Sequence, residues 1–156
     1  MLYKKQLTKE QALQKLKHYC GYQERCHSEV KEKLYNLGVW KKEHDGIMAT
    51  LIEEGYLNEE RFAIAFAGGR FRMKQWGRVK IKYELRQKQV SDYSIKKALD
   101  QINEEQYRAT LQKLATEKYT ALRTEQWLAR KKKMTDYLRQ KGYELSLING
   151  VIDSIS

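Results

Sequence analysis

Between residues 70 and 90 the sequence sets Arg70, Arg72, Lys74, Arg78, Lys80, Lys82, Arg86 and Lys88 against a single acid, Glu84, a net charge of +7 in 21 residues. Tyr83 stands among them. Cations at this density with an aromatic between them suit phosphates, acidic side chains or a stacked base. If Ile81 and Leu85 face a core, the helical step of about 100° turns Lys82, Tyr83 and Arg86 outward, with Val79 beside them. A second basic run, Arg130, Lys131, Lys132 and Lys133, continues to Arg139 and Lys141 and is diluted by Asp136. Trp127, seven residues before Met134, stands in core register there. Each run also has a plainer reading as a solvated helix face, with Tyr83 packed on a neighbouring element. The acids lie elsewhere: from Glu43 to Glu60 there are six, with no Lys or Arg. That separation would orient the protein in a long polar groove, although most of these acids are accounted for as helix-end charges.

Other chemistry is poorly supported. His18, Cys20, Cys26 and His27 include zinc-ligand types, but no CxxC spacing is present. Cys20 falls on an apolar helix face and Cys26 lies four residues before Val30, so both read as buried free thiols and no metal is expected. Gly68-Gly69-Arg70 lacks the GK[ST] ending of a phosphate loop. No Ser/His/Asp or paired-carboxylate arrangement has a recognisable spacing. The expectation is a non-enzyme without cofactor.

The elements that must carry the basic runs are helices. The 156 residues contain no proline, against roughly 5% in an average chain, which favours uninterrupted helical runs. Apolar residues make up 41% and charged residues 33%, with a net charge of +11. That is enough for a core, and the charge calls for an acidic partner. No apolar stretch approaches the ~20 residues that span a bilayer. The opening MLYKKQLTKE lacks the apolar region of a signal peptide. Two cysteines make no disulfide framework. A cytoplasmic monomer without membrane contact is expected.

A repeat organises these helices. LNEERF at 57–62 returns as INEEQY at 102–107, and more weakly as LTKEQA at 7–12. Each phrase is a helix start, with Asn58, Asn103 or Thr8 as cap and acids at the positive end of the dipole after the two Asn caps. The caps are spaced by 50 and 45 residues, a repeat signal. First helices are expected at about 8–20, 58–74 and 103–121, from the 3.6-residue spacing of Ala12, Leu13, Leu16 and Cys20, of Phe62, Ala63 and Phe66, and of Tyr107, Leu111, Leu114 and Ala115. Second helices carry Val30/Leu34, Ile81/Leu85 and Met134/Leu138, and third helices Ile47/Leu51, Ile95/Leu99 and Ile148/Ile152. Gly38, Gln89 and Gly142 each follow four residues after a second-helix pair. Glycine fits a left-handed cap there, while Gln89 should end its helix less sharply. The expected fold is all-α, an elongated array of three tandem three-helix repeats at 1–57, 58–102 and 103–156. A unit of about 50 residues buries little alone and gains by stacking.

Residues 55–90, GYLNEERFAIAFAGGRFRMKQWGRVKIKYELRQKQV, resemble the RecX family of recombinase regulators. The family's central repeat reads G-Y-L-D-D-x-R-F-A, a basic helix, then G-P-x-R-I-x-x-E-L-x-x-K-G-I/V. Gly55, Tyr56, Leu57, Arg61, Phe62 and Ala63 match the first part. Gly77, Ile81, Glu84, Leu85, Lys88 and Val90 match the second. Asn58 and Glu59 replace the two acids, Arg78 stands where proline is usual, Lys80 where arginine is, and Gln89 where glycine is. CHSEVKEKLYNLGV matches the family's first module more loosely. The resemblance implies tandem three-helix repeats and a protein that lodges in the groove of the RecA recombinase filament on DNA, modulating its ATP hydrolysis and strand exchange, usually downward. The alternative, from the residues alone, is a module that binds single-stranded or duplex nucleic acid through its helix pairs. Dependence on the recombinase separates the two.

Overall fold

The structure, a computed structural model, describes residues 7–156. Residues 1–6, which open the first repeat and most of the stretch read for a signal peptide, lie outside the described residues. Among the described residues there are nine α-helices and no strand. They are α1 Lys9–Tyr22, α2 His27–Asn36 and α3 Lys41–Glu53, then α4 Glu59–Lys74, α5 Arg78–Gln87 and α6 Asp92–Asp100, then α7 Glu104–Ala121, α8 Trp127–Lys141 and α9 Leu145–Ile155. None is long and apolar enough to cross a membrane. The three cap phrases open α1, α4 and α7. Thr8, Asn58 and Asn103 each accept a hydrogen bond from the backbone N–H three residues on, at 3.1, 2.9 and 2.9 Å.

The second helices end alike. In each, the residue in the left-handed region is followed by one whose N–H reaches back five positions: Val39 to Leu34, Val90 to Leu85 and Tyr143 to Leu138, each at 3.1 Å. The left-handed residues are Gly38 (φ 74°), Gln89 (φ 62°) and Gly142 (φ 98°). Gln89 therefore ends α5 as sharply as the glycines end α2 and α8, contrary to expectation. The buried Leu85 and Val90 on either side of the turn hold it in a conformation that a side chain disfavours by about 1 kcal/mol or more.

Two cores form rather than three. Ala12, Leu16, Val30, Leu34, Ile47 and Leu51 centre a first core confined to α1–α3 and closed by Leu57. A second runs without a break through α4–α9, from Phe62, Ile81 and Leu85 to Tyr107, Met134 and Ile152, and takes in Cys26 from the first repeat. Both cysteines are free and buried, and burial raises their thiol pKa values. The accessible surface of 10303 Å² exceeds the roughly 8,200 Å² of a compact monomer of this mass, as an elongated array requires.

The joint between the second and third repeats is made of helix ends. Gly77 caps α5 and offers no side chain. Its N–H and that of Val79 instead donate to the carbonyls of Lys141 and Gly142 at the end of α8, at 2.8 and 2.9 Å. A Cβ on Gly77 would lie 2.3 Å from the Gly142 oxygen, and one on Gly142 would lie 2.3 Å from the Lys80 Cβ. In the other direction, Tyr143 Oη and Lys141 Nζ donate to the carbonyls of Gln75 and Lys74 at the end of α4. Between the first and second repeats the joint is lighter: Ser28 Oγ donates to the Lys88 carbonyl at 2.9 Å and Arg61 pairs with Glu24 at 2.6 Å.

In core register Arg130 is the counterpart of Cys26 and Gly77, each four residues before the core pair. Cys26 and Gly77 are helix caps, whereas Arg130 lies inside α8, which starts a turn earlier. That extra turn runs past the end of the core, so Trp127 is 39% exposed despite its register, and Leu128 is 81% exposed.

Two outcomes follow for denaturant melts. Leu85→Ala should lose about 2–5 kcal/mol, because Leu85 is wholly buried, while the exposed Lys82→Ala should stay within about 0.5 kcal/mol. Gln89→Gly should gain about 1 kcal/mol by relieving the left-handed backbone; equal or lower stability would mean that the turn is not strained.

Candidate partner-binding surface

With Ile81 and Leu85 buried, α5 presents its cations on two flanks and an outer face. Arg78, Lys82 and Arg86 lie one helical turn apart on the flank toward α6 and the start of α9. Lys80, Glu84 and Lys88 lie on the flank toward α4. Tyr83 is 61% exposed between them, and Val79 is exposed as expected. The eight cations of residues 70–90 thus do not form one patch.

On the α6 side the charges are largely compensated. Arg78 donates from Nε to Glu144 at 2.9 Å and from a terminal nitrogen to Glu104 at 2.8 Å. Its backbone N–H donates to Tyr107 Oη, also at 2.9 Å, and that hydroxyl donates to Glu144. The guanidinium lies 3.9 Å from the Tyr107 ring centre. Burial alone would lower the Arg78 pKa, but the Glu104 hydrogen bond and the Glu144 charge outweigh it and hold the pKa above its ordinary value. Burial, then the bond to Glu144, pushes the Tyr107 phenol up. Arg78, then Arg108, holds the Glu104 carboxyl below its usual range. Arg86 pairs with Asp92 at 3.3 Å. Lys82 is exposed and reaches no carboxylate among the described residues. With Val79, Ile95 and Lys96 it borders a groove of about 680 Å³ between α5 and α6.

The α4 side is different. Arg70 stacks over Phe66 at 4.6 Å and lies 5.5 Å from Trp76. Lys74 and Lys80 lie over Trp76 at 5.7 and 4.5 Å, and Lys88 over Phe66 at 5.9 Å. None of these four pairs with a carboxylate among the described residues. Arg72 is exposed and lies against Gly68.

The second basic run is mostly engaged internally. Arg130 donates twice to the Tyr119 carbonyl and stacks on that ring at 3.4 Å. Lys132 pairs with Asp136 at 2.8 Å and Lys133 with Glu125 at 2.5 Å, while Lys131 is half-buried. Glu59, grouped by sequence with the helix-end acids, caps a helix other than its own: it accepts from the N–H and hydroxyl of Ser91 and from Ser94 Oγ at the start of α6. Phe66 and Trp76, which organise the unpaired cations, were not singled out as site residues by their sequence. The available signal was Trp76, an aromatic in the link between α4 and α5 with Lys74 two residues before it and Arg78 two after.

The description of the second three-helix domain of RecX matches residues 58–99, and that of the third matches 104–152. A regulatory protein RecX from Prosthecochloris aestuarii is 30% identical over 146 residues, covering 92% of this chain and 93% of that protein. The chain belongs to the RecX family. A regulatory protein RecX from Leuconostoc mesenteroides is 27% identical over 127 residues, 81% of this chain and 48% of its own. The chain spans about half the length of that relative and of one from Oceanobacillus iheyensis, of which it covers 51%. Among solved structures, RecX from Lactobacillus salivarius superposes with a TM-score of 0.86 at 20% identity, over 94% of this chain and 95% of that one. A second crystal structure of regulatory protein RecX gives 0.84 at 23%, over 93% and 71%. At these identities the likeness is one of fold. The matched RecX segments coincide with α4–α6 and α7–α9, so the helix-end joint lies between two family domains. Position 78, where the RecX pattern has proline, carries here a backbone N–H that Tyr107 accepts, a bond proline has no hydrogen to make.

Tyr107→Phe keeps the ring and removes the acceptor, leaving the half-buried Arg78 N–H unpaired. It should cost about 1–3 kcal/mol in a urea melt. No measurable change would place the strength of the joint in the glycine contacts alone.

Proposed function

We propose that this chain is a regulatory protein that binds the RecA recombinase filament on DNA and lowers its ATP turnover and strand exchange, acting in recombination and repair without chemistry of its own. The observation that carries the reading is RecX family membership over the second and third repeats, with relatives named as regulatory proteins. The outer face of α5 and α6 supports a protein contact there. Val79, Tyr83 and Tyr93 are exposed beside Lys82 and Arg86, and Tyr and Arg are the residues that most often dominate protein interfaces. A rigid array seated across adjacent protomers would hold them in one relation and so slow a cycle that needs them to move.

The test is ATP hydrolysis by the recombinase on single-stranded DNA, titrated with this protein. Wild type should lower the rate. A triple change of Lys82, Tyr83 and Arg86 to Ala should require about tenfold or more protein for the same effect, as loss of one or two interface anchors does. Lys113→Ala, exposed on α7, should act as wild type. If the triple variant inhibits at the wild-type concentration, the contact is not on this face. If wild type alters neither ATPase nor strand exchange, the recombinase reading fails.

A further inference from the structure

The two joints of the array are built from different groups. Between the second and third repeats, the backbone N–H groups of Gly77 and Val79 donate to carbonyls at the end of α8. At the corresponding positions of the first repeat, the Cys26 N–H donates to Glu29 of its own helix at 3.0 Å, and Ser28 reaches the second repeat with its hydroxyl instead. The chain passes from one core to the other at a single peptide bond. Leu57 is buried in the first core, its N–H and that of Tyr56 donate to the Leu51 carbonyl, and Asn58 caps α4. One side chain bridges that bond. Arg61, in the first turn of α4, donates from Nε to Glu24 in the link between α1 and α2 at 2.6 Å. A terminal nitrogen of Arg61 donates to the Gly55 carbonyl at 2.8 Å and to that of Tyr56 at 3.5 Å. These acceptors all belong to the first repeat. The counterpart of Arg61 in the third repeat, three residues after the Asn103 cap, is Gln106, which carries no charge.

This clasp is weak enough to open. Arg61 is exposed and Glu24 only partly buried, so water and salt reach the pair and weaken it. Glu24 Oε2 is buried and meets no donor among the described residues, a cost that hydration on opening would relieve. The Arg78 cluster at the other joint is backed by backbone bonds and by the close approach of Gly77 and Gly142, which leaves no such freedom. The apolar seal of the first joint is Cys26, a first-repeat residue that is buried in the second core. Its Sγ lies 3.1 Å from the Ser28 hydroxyl that donates to Lys88.

We propose that the first repeat is a hinged arm, which turns at the Leu57–Asn58 bond against the body formed by α4–α9, and that Arg61 is the clasp that holds it at the closed angle. Closed, the chain is one stiff array. Open, α1–α3 keep their own core, Arg61 and Glu24 are hydrated, and Cys26 meets water. Neither core has to unfold, because a hinge takes up the change at a few positions between bodies that are each packed on their own. Such an arm lets a long array seat its stiff part first and then fit the first repeat to the curvature of a partner. The motion belongs to the chain alone and requires no recombinase.

Maleimide labelling of the protein alone tests it, because the two cysteines lie in different places. Cys20 is 7% exposed inside the first core, and Cys26 is 1% exposed at the joint. Static exposure makes Cys20 the faster to react. The arm makes Cys26 the faster, and more so as salt rises from about 0.05 to 0.5 M. Arg61→Gln should raise the Cys26 rate about tenfold, the effect of losing a charge-assisted hydrogen bond, while removing its salt dependence and leaving Cys20 unchanged. Lys132→Gln, which removes an ion pair inside α8, should change neither rate. Spin labels at Lys31→Cys and Lys113→Cys, both exposed positions, should show a broader distance distribution when Arg61→Gln is added. Equal increases at Cys20 and Cys26 would mean that the first repeat unfolds instead of turning, and would overturn the proposal. A faster Cys26 with unchanged label distances would overturn it too, since only the link between α1 and α2 would then be fraying. If Arg61→Gln labels as wild type does, Arg61 is no clasp and the proposal falls.

Discussion

Three backbone N–H groups at the start of α5 have no partner in their own helix, and where they find one decides how the array is built. The first turn of an α-helix always leaves such donors. Gly77 cannot satisfy them with a side chain, and no acid lies in the first turn. The third repeat does it instead, through the carbonyls of Lys141 and Gly142 and the hydroxyl of Tyr107. The approach is close enough that a methyl group on either glycine would collide with backbone or Cβ atoms. Glycine at 77 and 142 is therefore a requirement of contact, and at 142 also of conformation, since its φ is positive. The same contact joins the second and third repeats into one core, while the first repeat keeps its own.

That geometry sorts the charges. Because the end of α8 sits on the start of α5, Arg78 is drawn into Glu104 and Glu144 and becomes part of the joint. One turn on, Lys82 clears the joint, and Arg86 meets Asp92 at the start of α6. The opposite flank faces the end of α4, where Phe66 and Trp76 supply rings and no carboxylate. A charge on the first flank is spent on internal structure or lies singly at the outer face; on the second it stays available to an outside partner. Counting cations along the chain cannot separate these cases, because residues two apart on a helix fall on different sides.

Much of the fold was legible in the sequence. Helix caps are local chemistry, so Thr8, Asn58 and Asn103 could be read from three or four neighbours. The four-apart apolar pairs of the second helices reflect a period that tertiary contacts do not alter. What resisted reading depends on what comes from elsewhere in the chain. Gln89 adopts a left-handed conformation because Leu85 and Val90 are both anchored in the core. Trp127 is exposed because α8 outruns the core by one turn, although its register is correct. Arg78 reads as a ligand-binding cation until Glu144, 66 positions away, is placed beside it. Phe66 reads as an ordinary core residue, and Trp76 has no reading of its own, until the cations laid on them are placed.

The extra turn of α8 also bears on how the array meets a long partner. In the first two repeats the start of the second helix is covered by the following repeat. In the third, α8 continues through that position and Arg130 folds back onto Tyr119. The place that the following repeat takes in the first two repeats is filled here by the first turn of α8 itself. Exposed or ring-stacked cations can contribute only modest contacts, each wet and salt-sensitive. Binding through such contacts alone would be weak and readily reversed, whereas the outer face of α5 exposes different chemistry, Val79 and Tyr83, on the same body. Two weak surfaces held at fixed separation bind well only where both ligands are present at the matching spacing. A partner that presents both chemistries at a fixed spacing would therefore be held better than one that presents either alone.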